Sequence, residues 1–137
     1  MSPAPVVLDA SAVIAYLLNE PGSQRIQAVL EGGLLSSVNL CEVISKFAER
    51  GESSERILSD VLELDLEVVD FTPRHALIAA QLRSHTRSLG LSLGDRACLA
   101  LGLERSATVL TADRPWAALA GQVLAGLDAA PVIEVLR

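Results

Sequence analysis

Pro5-Val6-Val7-Leu8-Asp9-Ala10-Ser11 is the stretch whose reading decides the fold. A short apolar, β-branched run that stops at an aspartate has no polar alternation, so it reads as a strand buried on both faces. Ser11 offers a cap to the helix that follows over residues 12–19, and Pro21-Gly22 ends that helix. A doubly buried strand feeding straight into a helix is the opening unit of a parallel sheet covered on both sides.

The same alternation continues outward. A helix over residues 23–31 carries Ile26, Val29 and Leu30 on one face and stops at Gly32-Gly33; residues 34–37 then form a second short strand. Residues 38–50 are helical, with Leu40, Val43, Ile44 and Phe47 at the i, i+3, i+4, i+7 spacing of a buried stripe. Another helix starts at Ser53 or Ser54 and runs through Ile57, Leu58, Val61 and Leu62, and residues 66–71 are a strand. Thr72-Pro73 starts a helix reaching about residue 88, with proline at its first position. Gly90 separates it from a helix over residues 93–103, and residues 108–110 are a strand. Pro115 opens a short helix and residues 132–136 form a last strand. The expected architecture is α/β, a three-layer α/β/α sandwich around a small, mostly parallel sheet, in one domain spanning residues 1–137.

Composition bounds the function. Half of the 137 residues are hydrophobic, so a core forms without disulfides or structural metal, and with 3% aromatics it is built from Leu, Val, Ile and Ala. Cys41 and Cys98 are too few and too far apart for a disulfide framework or zinc knuckle, and both read as buried thiols in apolar helices. No apolar run reaches the ~18 residues of a membrane span. Met1-Ser2-Pro3-Ala4-Pro5 lacks the charge and apolar length of a secretion signal, so the expected location is the cytoplasm. The net charge is −6, from 17 acidic and 11 basic residues, and Lys46 is the one lysine. Nucleic-acid-binding domains ordinarily carry a basic surplus, so charge alone argues against such a partner.

Most of the acids, Glu49, Glu52, Glu55, Asp60, Glu63 and Asp65 among them, fall on polar helix faces or ends. Four are placed differently. Asp9 and Asp113 lie at, or two residues beyond, the C-terminal end of an apolar strand, the edge where parallel sheets bind ligands. Glu42 and Asp95 lie near the starts of apolar helices, each three residues after a capping type, Asn39 and Ser92. Taken singly, each of the four fits a cap or turn as well as a site. Taken together they point at one sheet edge, where clustered carboxylates repel unless a cation fills the cluster. Oxygen ligands without His or Cys select Mg²⁺ or Mn²⁺. His75 and His85 share a separate helix and read as surface or packing residues. A metal-filled pocket is locally cationic, which answers the charge objection. Arg96, Arg114 and Lys46 could add phosphate contacts, although Arg96 and Arg114 adjoin site acids and equally suit ion pairs with them.

These residues resemble the motifs of the PIN-domain ribonucleases, and the order, spacing and length resemble the VapC-type toxins of toxin–antitoxin systems. The likeness rests on Val7-Leu8-Asp9-Ala10-Ser11-Ala12, Ser37-Val38-Asn39-Leu40-Cys41-Glu42-Val43, Leu91-Ser92-Leu93-Gly94-Asp95-Arg96-Ala97-Cys98-Leu99-Ala100 and Thr111-Ala112-Asp113-Arg114-Pro115-Trp116, and it covers essentially the whole chain. The resemblance implies that Asp9, Glu42, Asp95 and Asp113 bind Mg²⁺ or Mn²⁺. It also implies that Ser11 and Thr111 support them through their hydroxyls and that Asn39 holds the Glu42 helix start. It implies hydrolysis of RNA phosphodiesters by metal-activated water, a VapB-like antitoxin partner and a homodimer. A phosphorelay receiver would need paired acids after the first strand and a late lysine. Here Asp9 stands single there, Asp70 is the one candidate acceptor, and Lys46 is early. A haloacid-dehalogenase-type phosphatase would need aspartate where Ser11 stands. An inactive PIN-fold binding protein runs against the presence of all four acids.

Overall fold

In the computed structural model, Leu8 lies in register with Leu35 on one side and Leu110 on the other, so the opening strand is the centre of the sheet. Residues 4–119 and 129–136 are described; Met1 to Pro3 of the stretch read for a leader lie outside them. The strands are β1 (Val6–Leu8), β2 (Leu34–Ser36), β3 (Glu67–Val69), β4 (Thr108–Thr111) and β5 (Val132–Val135). They lie in the order β3-β2-β1-β4-β5, and every pairing is parallel. The helices are α1 (Ala10–Leu17), α2 (Ser23–Gln27), α3 (Ser37–Glu49), α4 (Ser54–Leu62), α5 (Pro73–Thr86) and α6 (Leu93–Arg105), with 3-10 turns at Arg87–Leu89 and Arg114–Leu119.

Alternate strand residues serve opposite faces, and the two cores divide accordingly. Val7, Leu34 and Val109 pack with Ile78, Ala79 and Leu82 of α5, with Cys98 to Leu101 of α6, and with Trp116. Leu8, Leu35 and Leu110 pack with α1, with Ile26, with Val43 and Phe47 of α3, and with Ile57 and Val61 of α4. The fold is therefore the expected three-layer α/β/α sandwich, and strands this short hold because both faces are dry. Each fully buried Leu, Val or Ile contributes roughly 1.5–3 kcal/mol. Among the described residues no helix is long and apolar enough to cross a membrane.

Several local expectations are corrected. Asp9, not Ser11, caps α1: its Oδ1 accepts from the Ala12 N–H at 2.8 Å, and Ser11 is already helical. β2 runs into α3 without a loop, so Ser36 ends the strand and caps the helix through the Val38 N–H. Asn39 is therefore not a cap, and Glu42, a turn further on, is out of reach of the helix-end amides. α2 is shorter than expected and stops at Gln27, and Gly22 at its N-cap position offers no side chain. α5 ends at Thr86 and tightens into a 3-10 turn, and the element at Pro115 is 3-10 throughout its described length. Cys98 is buried as expected, but Cys41 is exposed.

Candidate metal centre

The parallel register of β1 and β4 puts the residues that follow them side by side: Asp9 after Leu8, and Thr111 after Leu110. The Asp9 N–H donates to the Leu110 carbonyl (3.2 Å), extending the ladder to the sheet's C-terminal edge. Asp9 is only 3% exposed, and its carboxylate is fully engaged. Ser11 Oγ donates to Oδ1 at 2.7 Å and Thr111 Oγ1 to Oδ2 at 2.5 Å, beside the Ala12 cap. The two hydroxyls in turn accept from the next backbone amides, Ala112 N–H to Ser11 and Asp113 N–H to Thr111, each at 2.9 Å. Ser11 and Thr111 thus splint the two strand ends.

The other two acids arrive on helix starts from opposite sides. α6 begins with a capping box, the Ser92 N–H donating to Asp95 Oδ2 (2.9 Å) and the Asp95 N–H to Ser92 Oγ (3.2 Å). Asp95 is therefore a cap, as one reading of the sequence allowed, and Oδ1 has no donor among the described residues. Asn39 bridges α3 to α6: its amide donates to Glu42 Oε1 at 2.7 Å and to the Gly94 carbonyl at 3.0 Å. It holds the Glu42 carboxylate itself rather than the helix start, and its own Oδ1 is buried without a partner. Gly94 was not singled out by its sequence context. A methyl group there would run into the Glu42 carboxylate, so the missing side chain makes the room that carboxylate occupies.

Asp9, Glu42, Asp95 and Asp113 line one cleft of about 300 Å³ together with Ser11 and Lys46. Ala10 and Ile14 of α1 complete its wall. Lys46 stands one helical turn after Glu42. Arg96 turns away, its Nη1 donating to the Ala79 carbonyl of α5 at 2.9 Å, so it neither pairs with Asp95 nor reaches the cleft. Arg114 is exposed at the start of its 3-10 turn. His75 is buried against α6 and His85 is half-buried on α5; neither lines the cleft.

The electrostatics record the crowding. Burial pushes the Asp9 carboxyl up to about 6, against its three hydrogen bonds and with the Asp95 charge adding to the rise. Burial also raises Glu42, opposed by Asn39 and aided by Asp95. Asp95 rises through burial as well, opposed by the Ser92 bonds, with Asp113 adding and Arg96 opposing. Among the described residues no three His, Cys, Asp or Glu side chains stand close enough to enclose an ion as placed. Each of three carboxylates is held back by its own donors: Asp9 by its hydroxyl pair, Glu42 by Asn39, Asp95 by Ser92. They share a cleft without sharing a point. The donor set nevertheless fits a hard divalent cation. It is all oxygen, Glu42 Oε2 and Asp95 Oδ1 carry no donor among the described residues, and a cation between the charges offsets their repulsion.

A family model described as PIN domain matches residues 6–122. No curated protein matches the chain in sequence. Solved structures do match in fold. A chain in the DNA-bound VapBC structure from Salmonella typhimurium superposes with a TM-score of 0.71 at 20% identity, covering 98% of this chain and 100% of that one. A chain of a toxin–antitoxin complex from Klebsiella pneumoniae gives 0.72 at 16% identity, covering 96% and 98%. VapBC-5 from Mycobacterium tuberculosis gives 0.57 at 23% identity, covering 98% and 99%. At these identities the likeness is one of fold.

Proposed function

The chain belongs to the PIN-domain family, and from that premise we propose that it is a metal-dependent endoribonuclease, a VapC-type toxin held in check by a VapB-like antitoxin. The observation that carries the reading is the single cleft at the strands' C-terminal edge, lined by four carboxylates from four separate segments. Capping accounts for Asp9 and Asp95 but not for Glu42, and not for the placement of all four acids in one cleft. The solved neighbours from Salmonella, Klebsiella and Mycobacterium are toxin–antitoxin assemblies, which supports an antitoxin partner here. A homodimer and a cytoplasmic location belong to the same proposal.

Asp9, Glu42, Asp95 and Asp113 would hold one or two Mg²⁺ or Mn²⁺ ions. Such an ion supplies Lewis acidity, lowering the pKa of water and neutralising charge on the phosphodiester. The chain's own residues do the rest. Ser11 and Thr111 fix the Asp9 carboxylate, the most buried of the four. Asn39 fixes Glu42 from the opposite wall, and the Ser92 box fixes Asp95.

Purified protein is expected to cut RNA with Mg²⁺ or Mn²⁺ and to stop with EDTA; cutting that survives the chelator, or none with any ion, would overturn the proposal. Binding is separable from turnover. Mn²⁺ at a hundred times its dissociation constant adds about 2.7 kcal/mol, raising the unfolding midpoint by about 10 °C in wild type but not in Asp95→Asn. The unconverged carboxylates favour one second reading, a PIN-fold protein that binds without cutting. A Mn²⁺ response without cleavage of any RNA would support it.

A further inference from the structure

We propose that Lys46 holds the substrate, its ammonium gripping a non-bridging oxygen of the RNA phosphodiester next to the one that is cut; this rests on the nuclease reading above. Glu42 and Lys46 are spaced i, i+4 on α3 with the acid N-terminal, the arrangement that ordinarily forms a helix ion pair. No such pair exists. The ion pairs among the described residues join Arg25 to Glu134, and Arg74, His75 and Arg105 to Glu104. Glu42 is turned to Asn39 instead, at 2.7 Å. Lys46 is left exposed at the cleft with its charge uncommitted.

The neighbouring cation is spent elsewhere: Arg96 donates to the Ala79 carbonyl. Among the described residues lining the cleft, Lys46 is the one cation. Its charge matters because the protein is acidic, with a net charge of −6. Four ionised carboxylates against one divalent ion leave two negative charges in the cleft, which still repel a phosphodiester. A flexible ammonium at the rim offsets part of that repulsion. It also tolerates a phosphate that shifts during reaction better than a rigid guanidinium fork does. A strand of RNA entering over α3 meets this charge before it meets the acids.

The test is binding, read separately from cleavage. The probe is a fluorescein-labelled 2′-O-methyl phosphorothioate RNA dodecamer, followed by anisotropy in Mn²⁺ across a potassium chloride series. For a single strand, each neutralised phosphate contributes about 0.7 to the slope of log Kd against log salt. Lys46→Gln is expected to lower that slope by about 0.7 and to weaken binding several-fold at low salt, while Lys46→Arg keeps the slope. The Mn²⁺-induced rise in unfolding temperature is expected to match wild type in both variants. Unchanged slope and affinity in Lys46→Gln overturn this inference alone. Loss of the Mn²⁺ response in Lys46→Gln also overturns it, because the lysine would then be serving the acids. A wild type that responds to Mn²⁺ but does not bind the probe removes the nuclease reading, and this inference with it.

Discussion

α5 and α6 pack side by side and open with the same device, a capping box, yet the two boxes have opposite electrostatic fates. In the first, Thr72 caps α5 and His75 returns the bond: the Thr72 N–H donates to His75 Nδ1 at 3.2 Å. That leaves the ring proton on Nε2, which meets Glu104 Oε1 of α6 at 2.6 Å. Arg105 and Arg74 stand 3.6 and 3.8 Å from the same carboxylate, and these partners, His75 foremost, hold the Glu104 carboxyl below its ordinary range. In the second box, Ser92 and Asp95 make the same pair of bonds, but burial raises Asp95, with the Asp113 charge adding, and burial raises Asp9 and Glu42 as well. The difference teaches what distinguishes a clamp from a site. A carboxylate held below its ordinary range by donors and cations of the chain itself fastens two helices; carboxylates held above theirs by burial and by one another are poised for a cation from outside.

That distinction predicts opposite phenotypes for two conservative substitutions. Asp9→Asn removes a ligand from an unbalanced cluster. RNA cleavage in Mn²⁺ is expected to fall on the order of 100-fold or more, since metal assistance supplies several kcal/mol. The metal-free protein should unfold at the same temperature or higher. Glu104→Gln leaves cleavage near wild type but costs about 1–3 kcal/mol of stability, because His75 loses a charged partner while buried. If Asp9→Asn destabilises the metal-free protein while Glu104→Gln leaves its stability untouched, the comparison is inverted.

Gly94→Ala tests whether the cleft is built to size. The added methyl would overlap the Glu42 carboxylate, the far end of a flexible side chain, so Glu42 must move at little cost to the fold. Glu42 can escape only by leaving Asn39, so the Mn²⁺ shift in unfolding temperature is expected to shrink well below that of wild type. A full metal response would show that Glu42 is dispensable to the site.

A smaller effect separates the two regions by pH. Asp9 is raised from 3.8 to about 6 in the folded protein. Its contribution to stability is therefore fully present below 3.8 and is lost as pH rises through about 6. Glu104 is lowered, so its contribution is present above its unfolded value and is lost only as pH falls through its folded one. The window from pH 7 to 5 brackets the Asp9 value. In EDTA, lowering the pH across that window is expected to stabilise the protein by about 1 kcal/mol, roughly 4 °C in midpoint, and Asp9→Asn should flatten most of the response. With Mn²⁺ the gain should shrink or reverse, because protons then compete with the ion.

Asp9, Asp95 and Asp113 were legible in the sequence because strand ends and a capping box are local patterns, whereas Glu42 was picked out by a box at Asn39 that α3 does not form. Short apolar runs broken by Asp9, Ser36 and Thr111 likewise suffice for a parallel sheet. What the chain did not disclose depends on partners far away in sequence. Asn39 earns its role from the Gly94 carbonyl, and Arg96 is drawn off by Ala79. His75 read as a packing residue, which it is, but its pairing with Glu104 required α5 laid against α6. The α3 cap was misplaced for a different reason. A strand that enters a helix without a loop lets one residue, Ser36, serve both elements, and Asn39 three positions on is the more conspicuous capping type.

The least effect is expected at the clamp's rim, and it asks whether Glu104 is held by one partner or by a crowd. Arg74 approaches at 3.8 Å with its side chain 69% exposed, whereas His75 approaches at 2.6 Å from a side chain 2% exposed. An exposed pair at that separation gains little from Coulomb attraction in water and spends side-chain freedom to form. Arg74→Gln should therefore change stability by less than about 0.5 kcal/mol, and 1 M salt should erase the difference. The Glu104–His75 contact is closer and its imidazole is buried, so it should keep more of its contribution at the same salt. Combined with Glu104→Gln, Arg74→Gln should add nothing further. A loss from Arg74→Gln comparable to that from Glu104→Gln would mean the rim carries the clamp, and that the balance of charge around Glu104 is collective rather than set by one buried imidazole.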